Sequence, residues 1–228
     1  NPPTPKQGIT IRGFRNSPEL GYRSTMTKQN EMNVLSADDR RERVAQATWA
    51  VISREGLDRA SLRAIAQELG STTGVLTHYF RDKEALLDFA FASIVEKLQF
   101  GAGSSATPAD LASVSELLGA YLPLTADTRV WWRVWLSFTV AALAHKKRGE
   151  NHAKLYKELS RFWTEVLSDL SQKGALRPNL DMALEAETLL ALIDGIGIHA
   201  LITPRSMTAK RQLQIVECHF AKLAAAAG

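Results

Sequence analysis

The chain has 228 residues, of which 45% are hydrophobic and 23% are charged, and its formal net charge is +4. This composition allows one large domain or a small domain joined to a larger one, and so small a charge does not by itself indicate nucleic-acid binding. The single cysteine, Cys218, excludes an intrachain disulfide, and no run approaches 18 apolar residues. We therefore expect a cytoplasmic protein without a membrane helix.

The first 35 residues are rich in Pro, Gly, Asn, Ser and Thr and have no hydrophobic period. They carry five Lys or Arg residues against two acidic ones. We predict a flexible basic arm over residues 1–35. Such an arm is either an inert tail or a segment that touches DNA, as minor-groove arms do in other DNA-binding proteins.

Helical patterns begin directly after this arm. Ser36 is a favourable N-cap for a first helix that ends at Gly56, and Ser61 can begin a second helix that ends at Gly70. Apolar residues recur at helical spacing in both segments. The sequence STTGVLTHYF, residues 71–80, then predicts a third, short helix.

The rest of the chain also has a helical pattern. Asp82 caps a fourth helix, and the segment GAGSSATP is the clearest internal break. No segment alternates between apolar and polar residues, so we expect no sheet. The prediction is an all-α protein of about nine helices, the last five near residues 108–121, 127–145, 150–173, 181–202 and 207–224.

The second and third helices are joined by a very short turn, which is the arrangement of a helix-turn-helix motif. In the third helix Val75, Leu76 and Phe80 can face inward, which leaves small hydroxyl residues, a glycine and a histidine outside. Such side chains suit phosphate oxygens and base edges. A helical hairpin with a polar outer face also occurs in proteins that do not bind DNA, so this pattern leaves both readings open.

Residues 56–91, GLDRASLRAIAQELGSTTGVLTHYFRDKEALLDFAF, resemble the DNA-binding domain of TetR-family transcriptional regulators. The resemblance spans about 55 residues and implies a helix-turn-helix domain over residues 36–90. Most of the family has Tyr where this chain has Thr77, so one phosphate contact usual in the family is in doubt. A hydroxyl there is closer to the choline-responsive betaine-operon repressors (BetI-like). The candidate DNA contacts are Ser61, Arg63, Thr72, Thr73, Gly74, Thr77, His78, Tyr79 and Lys83.

A second pattern of interest is a tryptophan cluster, YLPLTADTRVWWRVWLSF, at residues 121–138. Trp131, Trp132 and Trp135 are spaced to form one aromatic helix face. That face is either core packing or the wall of a ligand cavity. Residues 120–203 also resemble the C-terminal domain of the BetI-like branch, which implies ligand binding and dimerisation over residues 91–228. Aromatic rings with an acid suit an organic cation, although other small ligands fit the same pattern. The candidate ligand contacts are Trp131, Trp132, Trp135, Phe138, Tyr156, Trp163 and Asp194.

The last two helices have apolar faces that suit either an oligomer interface or the interior of the monomer. A two-fold dimer is expected for a protein that binds symmetric half-sites. The candidate interface residues are Leu189, Ile193, Gly197, Ala200, Leu213, Val216 and Phe220.

No enzyme motif is present, because the chain lacks a phosphate loop, a dinucleotide fingerprint, His-Glu-x-x-His and G-x-S-x-G. We expect no catalysis, metal or cofactor. The sequence predicts a homodimeric repressor that binds a palindromic operator and is released by a small molecule in its C-terminal domain. The alternative is a helical sensor or scaffold without a role on DNA.

Overall fold

The structure, a computed structural model, describes the backbone of residues 36–100, 108 and 110–225. These residues contain helices and no strand, as predicted. The predicted arm at residues 1–35 lies outside them. The helices are α1 (Ala37–Glu55), α2 (Leu62–Leu69), α3 (Thr73–Tyr79), α4 (Lys83–Phe100), α5 (Leu111–Tyr121), α6 (Ala126–Ala144), α7 (Lys146–Gln172), α8 (Met182–Ile202) and α9 (Ala209–Leu223).

The helix starts follow from side chains that cap free backbone N–H groups. Ser36 accepts a hydrogen bond from the N–H of Asp39 at 3.1 Å, and Asp82 accepts one from Ala85 at 2.8 Å. One predicted start is wrong, because α7 begins at Lys146 and not near residue 150. His145 alone leaves the helical conformation between α6 and α7, with φ −128° and ψ 113°.

A first hydrophobic core joins α1 to α4 with the middle of α6. Trp49 of α1 lies within it and donates from Nε1 to the carbonyl of Ala90 at 2.9 Å, which fixes α1 against α4. Val134 and Phe138 of α6 are buried in the same core. Phe138 was a candidate ligand contact, and that assignment is corrected: the side chain packs beneath the helix-turn-helix domain.

A second core is formed by α5 to α9, and the buried Trp163 and Leu167 lie within it. Helix α4 runs from the first core to the second, because Phe91 packs against both. The boundary expected at residue 90 therefore falls inside a continuous helix. None of the helices in the described part of the chain is long and apolar enough to cross a membrane.

Candidate nucleic-acid interface and ligand cavity

The turn between α2 and α3 depends on a glycine in the left-handed conformation. Gly70 has φ 67° and ψ 34°, a conformation that other residues adopt at a steric cost. Its N–H bonds the carbonyl of Gln67 at 3.0 Å, and the N–H of Ser71 bonds that of Ala66 at 2.9 Å. These bonds close the end of α2 and let α3 begin three residues later, at Thr73.

Helix α3 is held by one face and presents the other. Leu76 is fully buried, and Val75 and Phe80 pack partly buried against the first core. The opposite face exposes Thr72, Thr73, Gly74, Thr77 and His78, and Tyr79 is 53% exposed. The structure thus brings the candidate contacts of α3 together on one accessible surface, and its anchors are the residues that the sequence predicted.

Of the remaining candidate contacts, Ser61 and Lys83 have intrachain partners. Ser61 caps α2 by accepting from the N–H of Ala64 at 3.1 Å, whereas Arg63 is exposed. The Nζ of Lys83 donates to the carbonyl of Asp58 at 3.0 Å. This bond ties Lys83 to the loop before α2.

An aromatic cavity lies between α4, α5, α6, α7 and α8. Its cavity volume is about 50 Å³, which is several times the roughly 10–15 Å³ that one water molecule needs. Six of the seven candidate ligand contacts line it, Phe138 being the exception. The complete lining is Val95, Tyr121, Trp131, Trp132, Trp135, Leu155, Tyr156, Leu159, Trp163, Leu190, Ile193 and Asp194.

Asp194 is the one charged residue of this lining. Its carboxylate accepts a hydrogen bond from the hydroxyl of Tyr156. Burial raises the pKa of Asp194, and hydrogen bonding from Tyr156 and Trp135 partly offsets that rise. Burial, together with the bond to Asp194, also raises the pKa of Tyr156. The cavity therefore holds one desolvated acid among aromatic rings.

Behind one wall, a ring stack connects the cavity to α4. The ring of His152 lies 4.6 Å from that of Trp135 and 5.7 Å from that of Phe91, between centroids. Its Nε2 is 3.1 Å from the hydroxyl of Thr139, and burial lowers its pKa. His152, Phe91 and the wall residue Tyr121 are not among the contacts predicted from the sequence, because their neighbours in space come from other helices. Of the three, only Tyr121 lies in the predicted tryptophan cluster. Among the described residues, no group of three His, Cys, Asp or Glu could hold a metal ion.

The candidate dimer interface requires correction. Leu213 is partly buried and the other candidates are buried within the monomer, where most pack in the second core. A Cβ on Gly197 would lie 2.0 Å from the ring of Trp132, so this glycine permits close approach inside one chain. The residues that are withdrawn as interface candidates are Leu189, Ile193, Gly197, Ala200, Leu213, Val216 and Phe220.

The opposite face of α8 is exposed instead. Its residues are spaced alternately by four and three positions, the repeat that gives two helices a continuous contact seam. Leu184 is 58% exposed and Ile202 is 73% exposed. The exposed residues of this outer α8 face are Leu184, Thr188, Ala191, Gly195, Ile198 and Ile202.

Comparisons with known protein families match two separate parts of the chain. The sequence model of the tetR family of bacterial regulatory proteins matches residues 45–89. The model of the C-terminal domain of BetI-type transcriptional repressors matches residues 110–225. Among curated proteins, the HTH-type transcriptional regulator PksA of Bacillus subtilis (strain 168) is 32% identical over 189 residues, which cover 81% of this chain and 90% of PksA.

Further relatives agree with these matches. The regulator BetI of Proteus mirabilis (strain HI4320) is 28% identical over 72% of this chain and 81% of its own. A protein from Saccharomonospora viridis solved in complex with choline has a TM-score of 0.72 and 23% identity, covering 82% of this chain and 99% of that chain. A transcriptional regulator from Rhodococcus sp. Rha1 has a TM-score of 0.70 and 23% identity, covering 80% and 95%. These structures share the fold.

Proposed function

The chain belongs to the TetR family of transcriptional regulators, with a BetI-type C-terminal domain, and we propose that it is a repressor controlled by an organic cation. Residues 36–90 bind the operator in the cytoplasm, and residues 91–228 bind the effector and dimerise. The observation that carries the proposal is the pairing of an exposed hydroxyl-rich face on α3 with a buried acid-and-aromatic cavity one domain away.

On DNA, α3 lies in the major groove with its exposed face toward the bases. Leu76 anchors α3 in the first core of the helix-turn-helix domain. Contacts made by the opposite face of α3 therefore do not disturb this core. Thr73 and Thr77 present hydroxyl and methyl groups, and His78 presents a ring that can donate to a base or a phosphate. Gly74 lets the backbone approach closely. Arg63 and Lys83, at the edges of the surface, contact phosphates.

The dimer forms through the outer α8 face rather than the faces first assigned. Gly195 supports this choice, because a Cβ there would meet nothing within 4 Å in the monomer. A glycine inside a helix costs about 1 kcal/mol relative to alanine, and no intrachain contact explains it. Close approach of the same helix from a second copy does explain it. Two-fold pairing then places one α3 at each half of a palindrome.

This interface gives a prediction for Ile198. In the I198D variant a charge enters the helix pair twice, once from each subunit, without a partner. We expect the dimer to dissociate at least about tenfold more readily, which is about 1.4 kcal/mol, with the helical content unchanged. Sedimentation velocity over a concentration series measures this. The control is L143D, which changes a leucine that is 86% exposed on α6; if both variants remain equally dimeric, the outer α8 face is not the interface.

The effector is an organic cation of the quaternary ammonium class. Aromatic rings attract a cation through their faces, and Asp194 supplies the opposite charge. Tyr156 already donates to that carboxylate, so a cation without N–H groups loses little by not hydrogen bonding. The S. viridis protein of the same fold, which was solved with choline, supports this class.

Helix α4 couples the cavity to the helix-turn-helix domain. Phe91 stacks on the cavity wall Trp135, with centroids 6.0 Å apart, and packs against Phe138 of the first core at 4.8 Å. Arg148 of α7 forms an ion pair with Glu84 near the start of α4. A ligand that repositions Trp135 therefore moves α4 and changes the spacing of the two helix-turn-helix domains in the dimer. Release follows only if the ligand binds the DNA-incompetent state more tightly.

Footprinting the promoter next to the chain's own gene tests the DNA-binding part. We expect protection of a palindrome at moderate salt without ligand, with a dimer bound. Absence of protection at every palindrome, combined with normal binding of a cation, would favour the alternative of a helical sensor without a role on DNA.

A further inference from the structure

Gly197 of α8 packs directly against Trp132, one of the residues that line the cavity. A Cβ built on Gly197 would lie 2.0, 2.2 and 2.3 Å from Cζ3, Cη2 and Cε3 of Trp132. Real Cβ atoms keep at least about 3.4 Å in ordinary contact. The six-membered ring of Trp132 therefore rests directly on the helix backbone, and any side chain at position 197 must displace it.

The other end of the same indole is also fixed. Its Nε1 donates to the carbonyl of Tyr121, at the end of α5, at 2.7 Å. Trp132 is thus held between α5 and the backbone of α8, and it is buried. A ring held at both ends has little freedom to adapt to a ligand, so its position defines one boundary of the cavity.

The acid of the cavity lies on the same helix face. Asp194 precedes Gly197 by three residues, about one helical turn, and both point inward. The distance between the carboxylate and the indole wall is consequently determined by α8 itself. The neighbouring Gly195 points outward, where a Cβ would meet nothing within 4 Å. Lack of space explains the glycine at 197 and does not explain the one at 195.

We propose that the contact between Gly197 and Trp132 determines the size of cation head group that the cavity accepts, favouring compact trimethylammonium-type heads over bulkier ones. This inference rests on the proposed effector class. In a G197A variant the ring must move by more than about 1 Å to restore ordinary contact. Because Tyr121 holds its other end, the ring turns into the cavity that it lines and reduces the space beside Asp194.

The experiment compares two probes of the same charge, tetramethylammonium and tetraethylammonium, by calorimetric titration of the full chain. We expect the wild type to bind the smaller cation more tightly. G197A should bind tetramethylammonium at least about tenfold more weakly, whereas G119A should bind it normally. The control is matched, since a Cβ at Gly119, in α5, would meet its nearest neighbours at 3.9 Å, an ordinary contact.

A second variant keeps the test decisive if G197A does not fold. In W132F a smaller ring replaces the indole, so the preference for the smaller cation should fall about tenfold. In the G197A/W132F double variant the added methyl group has room, and tetramethylammonium binding should recover. Such a size-dependent change is not expected from a loss of stability alone.

Two outcomes would overturn the proposal, and they are distinguishable. If the wild type binds tetramethylammonium and the ratio of the two affinities is the same in every folded variant, the contact between Gly197 and Trp132 does not determine which size of cation binds. If the wild type binds neither cation, the proposed effector class is wrong and the size inference fails with it.

Discussion

Replacing Asp194 by asparagine is expected to make the protein insensitive to its effector while leaving operator binding intact. The change removes the one charge that faces the cation, in a partly buried site where electrostatic interactions are stronger than in bulk water. We expect cation affinity to fall about 100-fold, or roughly 3 kcal/mol. Calorimetric titration with tetramethylammonium measures the affinity, and fluorescence anisotropy of a labelled operator measures DNA binding.

The stability of the same variant separates loss of charge from loss of structure. Burial raises the folded-state pKa of Asp194 above its ordinary value. The favourable contribution of this carboxyl is therefore complete below its unfolded-state pKa and is lost as pH rises through the folded-state pKa. Asparagine remains neutral throughout, so D194N should unfold at neutral pH at the same temperature as the wild type or higher. A large drop in melting temperature would show that Asp194 is structural.

The pH dependence of ligand binding provides a further check on Asp194. A cation binds the ionised carboxylate, so wild-type affinity should fall as pH decreases through the raised pKa. His152, whose pKa is lowered by burial, gains charge in acid and also opposes a cation. The wild type should therefore lose more affinity than D194N over the same pH range. Parallel pH profiles for the two proteins would contradict the role given to Asp194.

The second large effect concerns the DNA surface. Replacing Gly74 by alanine is expected to weaken operator binding at least about tenfold, since a methyl group is added where the α3 backbone approaches the major groove. That corresponds to about 1.4 kcal/mol, which is similar to the roughly 1–3 kcal/mol that one mismatched base pair costs in a binding site. Operator anisotropy at fixed salt measures the effect.

The fold itself gives no reason for the glycine at position 74. A Cβ there would meet only the hydroxyl of Thr72, at an ordinary 3.7 Å. G74A should therefore be more stable than the wild type by up to about 1 kcal/mol, because alanine is the better helix former. G119A is the control, since it adds a methyl group to a helix far along the chain from α3. If G74A binds the operator normally, α3 does not approach DNA at this residue.

The sequence predicted the helix-turn-helix geometry because each step there has a local cause. Ser61 and Asp82 cap helices through residues three positions away, and Gly70 ends α2 through its own backbone. The direction in which α3 faces follows from three apolar residues in a short, otherwise polar segment. Because these features depend only on residues that are close together in the chain, they can be predicted from the sequence.

The orientation of α8 could not be predicted in this way. Apolar residues occupy its inward face at Leu189 and Ile193, and its outward face at Leu184 and Ile198, so the hydrophobic period does not select one side. The sequence places Gly197 among the candidate interface residues, and only the packing of α6 against α8 shows that the group next to it is Trp132 of the same chain. Phe138 is similar, because α6 serves both cores and its aromatic residues divide between them.

Control of the protein by an organic cation is tested by measuring whether a cation releases it from the operator. Labelled operator bound by the dimer is titrated with tetramethylammonium at constant ionic strength, beside D194N as the ligand-insensitive control. We expect the wild type to leave the DNA over the same concentration range in which calorimetry shows the cavity filling, and D194N to remain bound. Wild-type protein that stays on the operator while the cavity is saturated would contradict this expectation.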